Sequence, residues 1–169
     1  MSHKILIVDD DRLFLAPLVQ DMSDLGHEIE RAHSVDDGLE KLRSNEYDAL
    51  IVDNMMRPGP FDDMATMGGK RTGIFFVQYV RLHFPDLPIV LFSVASPSEY
   101  DHLFLMRNGI KFAQKQTSDA RSLLDLVEKT MGFEPLKLSD ALELKPGMFG
   151  LKVDIRKFFA FWTQKRGKG

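Results

Sequence analysis

The 169-residue sequence contains no cysteine. This excludes a disulfide scaffold, a thiolate metal site and a cysteine nucleophile, and it accords with a reducing compartment. Long apolar runs are also missing. None approaches the roughly 20 residues of a membrane-spanning helix, so no membrane span is expected. The opening Met1-Ser2-His3-Lys4 carries no extended apolar leader, which makes a cytoplasmic location the expectation. Positive charge is scarce in residues 1–133, with 14 Lys/Arg against 21 Asp/Glu, whereas residues 134–169 carry 8 against 4. That asymmetry implies two segments with different jobs. A hydrophobic content of 44% suffices for one full core.

What is present begins with Ile5-Leu6-Ile7-Val8 followed at once by Asp9-Asp10-Asp11. A continuous apolar run suits a strand buried on both faces of a parallel sheet. Three adjacent carboxylates repel one another unless a cation sits among them, so the run marks a strand end open to solvent or to a metal. A single Asp there would read equally well as part of a helix start. Ala49-Leu50-Ile51-Val52 running into Asp53 repeats the pattern. Two such strands, separated by a helix, a strand and a second helix, can bring their acids together at one sheet edge.

Between and beyond these runs the chain alternates. Leu13, Phe14, Leu18, Val19, Met22 and Leu25 lie at helical spacing, with Gly26 placed to end the helix and Pro17 inside it. His27 to Ala32 reads as a short strand. Ser34 is placed to cap a helix that buries Val35, Leu39 and Leu42 and ends near Asn45. Residues 54–72, with Pro58, Gly59, Pro60, Gly68 and Gly69, form an extended loop of the kind that usually serves function. Ile74, Val77, Val80 and Phe84 outline the next helix, Pro88 to Ser93 a buried strand, and Pro97 the first turn of a helix running to about Asn108. Lys111 to Lys115 is a fifth strand, and Ser118 or Asp119 caps a last helix carrying Leu123, Leu124 and Val127. Five strands alternating with helices predict an α/β fold with a doubly wound parallel sheet. Residues 1–133 form this domain. Residues 134–169 are a basic and aromatic extension with too little core to stand alone, expected to dock on the domain, on a second copy or on a partner. Contact with nucleic acid or an anionic membrane surface ranks behind that reading.

The acidic pair in "ILIVDDD", the single Asp in "DALIVDNMM", the hydroxyl in "PIVLFS" and the lysine in "KFAQK" stand in order at successive strand ends. Over roughly residues 3–132 the chain resembles the receiver domain of two-component response regulators. The resemblance implies a flavodoxin-like sheet of strand order 2-1-3-4-5. It also implies Mg²⁺ held by Asp9, Asp10, Asp53 and the main-chain carbonyl of Met55, with Asp53 as phosphoacceptor. Lys115 and Ser93 would contact the phosphoryl oxygens, and Ser93 with Phe112 would form the switch. Two departures stand out. Arg57-Pro58 and about a dozen extra residues follow Met56 where the family usually has Met-Pro and a short loop, and Gln116 follows Lys115 in place of a proline.

The function implied is a phosphorylation-dependent signalling switch rather than an enzyme on an external substrate. It would be charged by a histidine kinase or phosphotransfer protein and read by a downstream protein partner, with homodimer contact through the tail a further expectation. The alternative is a receiver-fold interaction module that works without phosphate.

Overall fold

The computed structural model describes residues 1–131, so the expectations for residues 134–169 lie outside the described part. Ten elements alternate along the described residues: β1 (Lys4–Val8), α1 (Arg12–Asp24), β2 (Glu28–Ala32), α2 (Val35–Ser44), β3 (Ala49–Val52), α3 (Thr72–His83), β4 (Ile89–Ser93), α4 (Glu99–Arg107), β5 (Lys111–Gln114) and α5 (Ala120–Met131). The strands form one parallel sheet in the order 2-1-3-4-5. The order reverses between β1 and β3, which places a crevice beyond their carboxyl ends.

The unbroken apolar runs now have a cause. Leu6, Val8, Leu50 and Val52 point to the face covered by α2, α3 and α4. Ile5, Ile7, Ala49 and Ile51 point to the face covered by α1 and α5. Alternate residues of one strand therefore serve two separate cores, and neither position tolerates charge until the strand ends.

Helix α1 departs from the expected face. Leu15 and Met22 are its buried residues, whereas Leu13 and Leu25 are exposed. Apolar side chains surround its first turns, so periodicity alone does not choose the buried stripe. Asp11 caps this helix, its carboxylate accepting from the N–H groups of Leu13 at 3.1 Å and Phe14 at 3.0 Å. The third acid of the triplet is thereby committed to the helix. Helix α4 also starts later than expected. Ser98 is its cap, so Pro97 lies before the helix rather than in its first turn.

The long segment between β3 and α3 is closed on itself. Its two ends meet where the Met56 N–H donates to the Gly69 carbonyl at 3.1 Å and the Thr72 hydroxyl donates to the Met56 carbonyl at 2.7 Å. Inside it, Asp62 accepts from the Ala65 N–H at 2.8 Å, and Thr66 is fully buried. Phe61 packs on Phe75 of α3 with centroids 6.1 Å apart. Short internal bonds of this kind let a surface loop hold one shape without regular structure.

At the opposite sheet edge His3 and His27 stack at 5.5 Å, and His27 Nδ1 accepts the His3 N–H at 3.3 Å. Burial, then the neighbouring His3 and the N-terminus, lower the His27 pKa from its ordinary 6.5 against a weaker opposing pull from Glu128. Below 6.5 the unfolded chain binds this proton more readily than the folded one, so stability falls as pH drops through that value. Urea unfolding at about pH 5 and about pH 7.5 is expected to show this loss, and His27→Gln is expected to flatten it. An unchanged slope in the variant would assign the acid sensitivity elsewhere.

Candidate functional site

The carboxyl ends of β1 and β3 deliver the acids that the sequence pattern marks. The Asp9 N–H still donates to Ala32 across the sheet at 3.0 Å, and the Asp53 N–H donates to Val8 at 2.9 Å. Each residue is thus anchored as the last rung of a buried ladder, with its side chain turned into the crevice. Asp9 is fully buried and Asp53 is 5% exposed. Asp10, one step beyond the strand, is exposed. The three carboxylates offer oxygens that all lie within 4.8 Å of one another.

Lys115 enters from the end of β5, where its N–H donates to the Ser93 carbonyl at 3.0 Å. Its ammonium reaches Asp9 Oδ2 at 2.6 Å and Asp53 Oδ2 at 2.9 Å. The rings of Phe14 and Phe92 lie 5.1 and 5.9 Å from the nitrogen and shield it. Burial would pull the lysine pKa down, but hydrogen bonding and attraction to Asp9 and Asp53 hold it above its ordinary value. Asp9 is pushed up, first by burial and further by the Asp53 charge, against hydrogen bonding to Lys115 and Asp11. The site therefore concentrates negative charge that a single cation only partly satisfies.

The other expected residues surround this core. Ser93 is fully buried at the end of β4, and its hydroxyl has no hydrogen-bond partner among the described residues. Met55 exposes its side chain while its N–H donates to Asp53 Oδ1 at 3.2 Å. Phe112 is half-buried on β5 and meets His102 of α4 edge-on at 6.2 Å. After Lys115, Thr117 and Ser118 turn back to bond the Gln114 carbonyl. Two neighbours of the site fall outside the sequence-based expectations. Phe14 covers Lys115, and the Arg57 N–H donates to Asp10 Oδ2 at 3.4 Å. Phe14 could have been flagged as an aromatic in the turn after the acidic run, whereas the Arg57 contact left no pattern in the sequence.

Hard carboxylate oxygens at this spacing suit Mg²⁺ better than a soft or nitrogen-seeking metal. The unpartnered Ser93 hydroxyl at the same sheet edge suits an acceptor such as a phosphoryl oxygen. A sequence model of the response regulator receiver domain matches residues 5–128. The chain belongs to that family. Among curated relatives, this receiver is 43% identical over 91 residues to the response regulator MprA of Mycobacterium ulcerans, a match covering 54% of this chain and 34% of that protein. It is 41% identical over 56 residues to MprA of Mycobacterium tuberculosis, covering 33% and 24%. The chain thus spans about a third or less of the curated relatives it matches.

Solved structures agree on the fold. The receiver superposes on the response regulator TrrA of Thermotoga maritima in complex with Mg²⁺ and BeF with a TM-score of 0.59 at 22% identity, covering 75% of this chain and 97% of that one. Chemotaxis protein CheY4 of Vibrio cholerae gives 0.60 at 22% identity, covering 77% and 99%. Among the described residues of this receiver no helix is long and apolar enough to cross a membrane.

Proposed function

We propose that this receiver accepts a phosphoryl group on Asp53 from a phosphohistidine of a histidine kinase or phosphotransfer protein, and signals through the surface change that follows. The observation that carries this is the buried acid and lysine cluster at the reversal of strand order, with the orphaned Ser93 hydroxyl beside it. A module that worked without phosphate would gain nothing from burying these charges together, since buried ion pairs rarely add stability over apolar packing.

Asp9, Asp10, Asp53 and the Met55 carbonyl would hold Mg²⁺. Once bound, the ion supplies positive charge that offsets the repulsion between a carboxylate nucleophile and an anionic phosphoryl group. The chain's own residues do the rest. A carboxylate oxygen of Asp53 attacks phosphorus, the phosphorus–nitrogen bond of the donor breaks, and the electron pair returns to the imidazole, which takes up a proton. Lys115, already within reach of Asp53, follows the charge onto the phosphoryl oxygens. Ser93 donates its free hydroxyl to another of them. The β4–α4 segment and Phe112 of β5 then settle into a second arrangement read by a protein partner. The place of this chemistry is the cytoplasm, where its donors act.

Incubation with a phosphohistidine donor is expected to leave label on the parent that hydroxylamine removes, as for an acyl phosphate, and none on Asp53→Asn. Label that survives hydroxylamine, or that persists in the variant, would remove Asp53 from the role.

A further inference from the structure

Beside the site, Arg71 carries an interaction that the phosphoacceptor chemistry does not use. It stands at the start of α3, where its side chain makes no capping bond. Instead the guanidinium forks onto Asp101 of α4, with Nη2 to Oδ1 at 2.6 Å and Nε to Oδ2 at 3.3 Å. The Asp101 side chain is 5% exposed. Its Oδ2 also accepts from the Ser98 hydroxyl at 2.8 Å, and its N–H donates to the same hydroxyl at 3.1 Å. Ser98 is the cap of α4, and only Val94 to Pro97 separate it from Ser93.

The other end of this connection runs to the phosphoacceptor. The Arg71 N–H donates to Thr66 inside the closed loop at 3.0 Å, and its guanidinium lies 5.8 Å from the Phe75 ring. Two residues on, the Gly73 N–H donates to the carbonyl of Asn54, the neighbour of Asp53, at 3.1 Å. The segment that leaves Asp53 and the segment that leaves Ser93 are thus joined by a bidentate pair whose acid is buried and whose guanidinium is partly exposed. A pair of this kind is costly to break from one side, because the remaining carboxylate stays buried without its partner.

We propose that Arg71 is a positioning residue for the Ser93 hydroxyl, acting through Asp101 and the cap of α4. This rests on the phosphoacceptor reading above. Without Arg71 the buried Asp101 carboxylate keeps only the Ser98 cap as partner, the start of α4 shifts to relieve it, and the four-residue tether no longer holds the hydroxyl against the site. The role of the extended loop, on this view, is to carry the guanidinium to α4.

The test is a double-mutant cycle on binding of beryllium fluoride in the presence of Mg²⁺, read by fluorine NMR. Arg71→Ala is expected to weaken binding about tenfold, a typical coupling for residues in one network. In a Ser93→Ala background the same substitution is expected to do nothing further. Arg71→Lys, which keeps the charge but loses the fork, should fall between. Asp101→Asn serves if the alanine variant folds poorly, since it keeps the shape and the Ser98 contacts. Unchanged binding in these variants, or equal weakening with and without Ser93, would overturn the positioning role. A parent that binds no beryllium fluoride would overturn the phosphoacceptor reading itself, and the positioning role with it.

Discussion

Lys115→Met is expected to destabilise the metal-free protein by about 3–5 kcal/mol, the usual cost of removing one partner from a buried ion pair. Methionine keeps most of the stem packing against Phe14 and Phe92, so the loss isolates the charge. Both acids that it leaves are buried, with side chains 1% and 5% exposed for Asp9 and Asp53. Asp9 already has a raised pKa with the lysine in place. A group whose folded pKa is raised costs most stability above that pKa, so the deficit should shrink toward acid pH as the carboxyls take up protons. Asp53→Asn in the same background should recover stability, and so should millimolar Mg²⁺ through its differential binding to the folded state. Denaturant unfolding with and without the metal decides it. A Lys115→Met protein as stable as its parent without metal would mean that the two acids do not depend on the ammonium.

Gly73→Ala is expected to be among the most damaging single-methyl changes within the described residues. Helix propensity alone predicts a gain of about 1 kcal/mol, because Gly73 lies in the first turn of α3 and alanine is the better helix former. The added Cβ, however, would stand 2.3 Å from the Asp53 carbonyl oxygen, 2.6 Å from the Asn54 Cα and 2.9 Å from the Asp53 carbonyl carbon. All three are main-chain atoms that cannot rotate aside. Overpacking of this kind costs about 1–3 kcal/mol or more, which outweighs the propensity gain. The displaced residue is also the proposed phosphoacceptor, so phosphoryl acceptance should fall further than stability does. Gly68→Ala is the control. Its φ of +65° brings strain, but nothing among the described residues lies within 4 Å of the new methyl, so about 1–2 kcal/mol is the expected limit. Thermal unfolding of the two variants side by side separates clash from backbone strain, and a Gly73→Ala protein no worse than Gly68→Ala would refute the close packing of α3 on Asp53.

Much of this site was legible because its acids interrupt a pattern. Asp9 and Asp53 end runs whose every residue is buried, and although a single Asp there could belong to a helix start, the repeat of the pattern at two strand ends sets them apart. Lys115 follows a fifth strand that is only partly buried, so its place in the ordered set, rather than an interrupted buried run, marked it. Asp11 was harder to separate from its neighbours, since a capping carboxylate and a metal-binding one are the same residue type and only the Leu13 and Phe14 N–H groups distinguish them. The buried face of α1 stayed hidden for a different reason. With Leu13, Phe14, Leu15, Leu18 and Val19 so close together, the choice between exposing Leu13 and exposing Leu15 falls to the packing of the helix on the β-sheet and α5. The Arg71–Asp101 pair lies 30 residues apart, and the loop closure at Met56 and Gly69 depends on main-chain bonds without periodicity. Neither leaves a mark that spacing could reveal.

The most direct measurement is the intact mass of the protein after incubation with acetyl phosphate and Mg²⁺, beside Asp53→Ala and beside the parent with the metal chelated. The parent is expected to gain one phosphoryl group, and the variant and the chelated sample none. A parent that gains no mass where a control receiver is labelled, or a variant that gains as much as the parent, would contradict phosphoryl acceptance at Asp53.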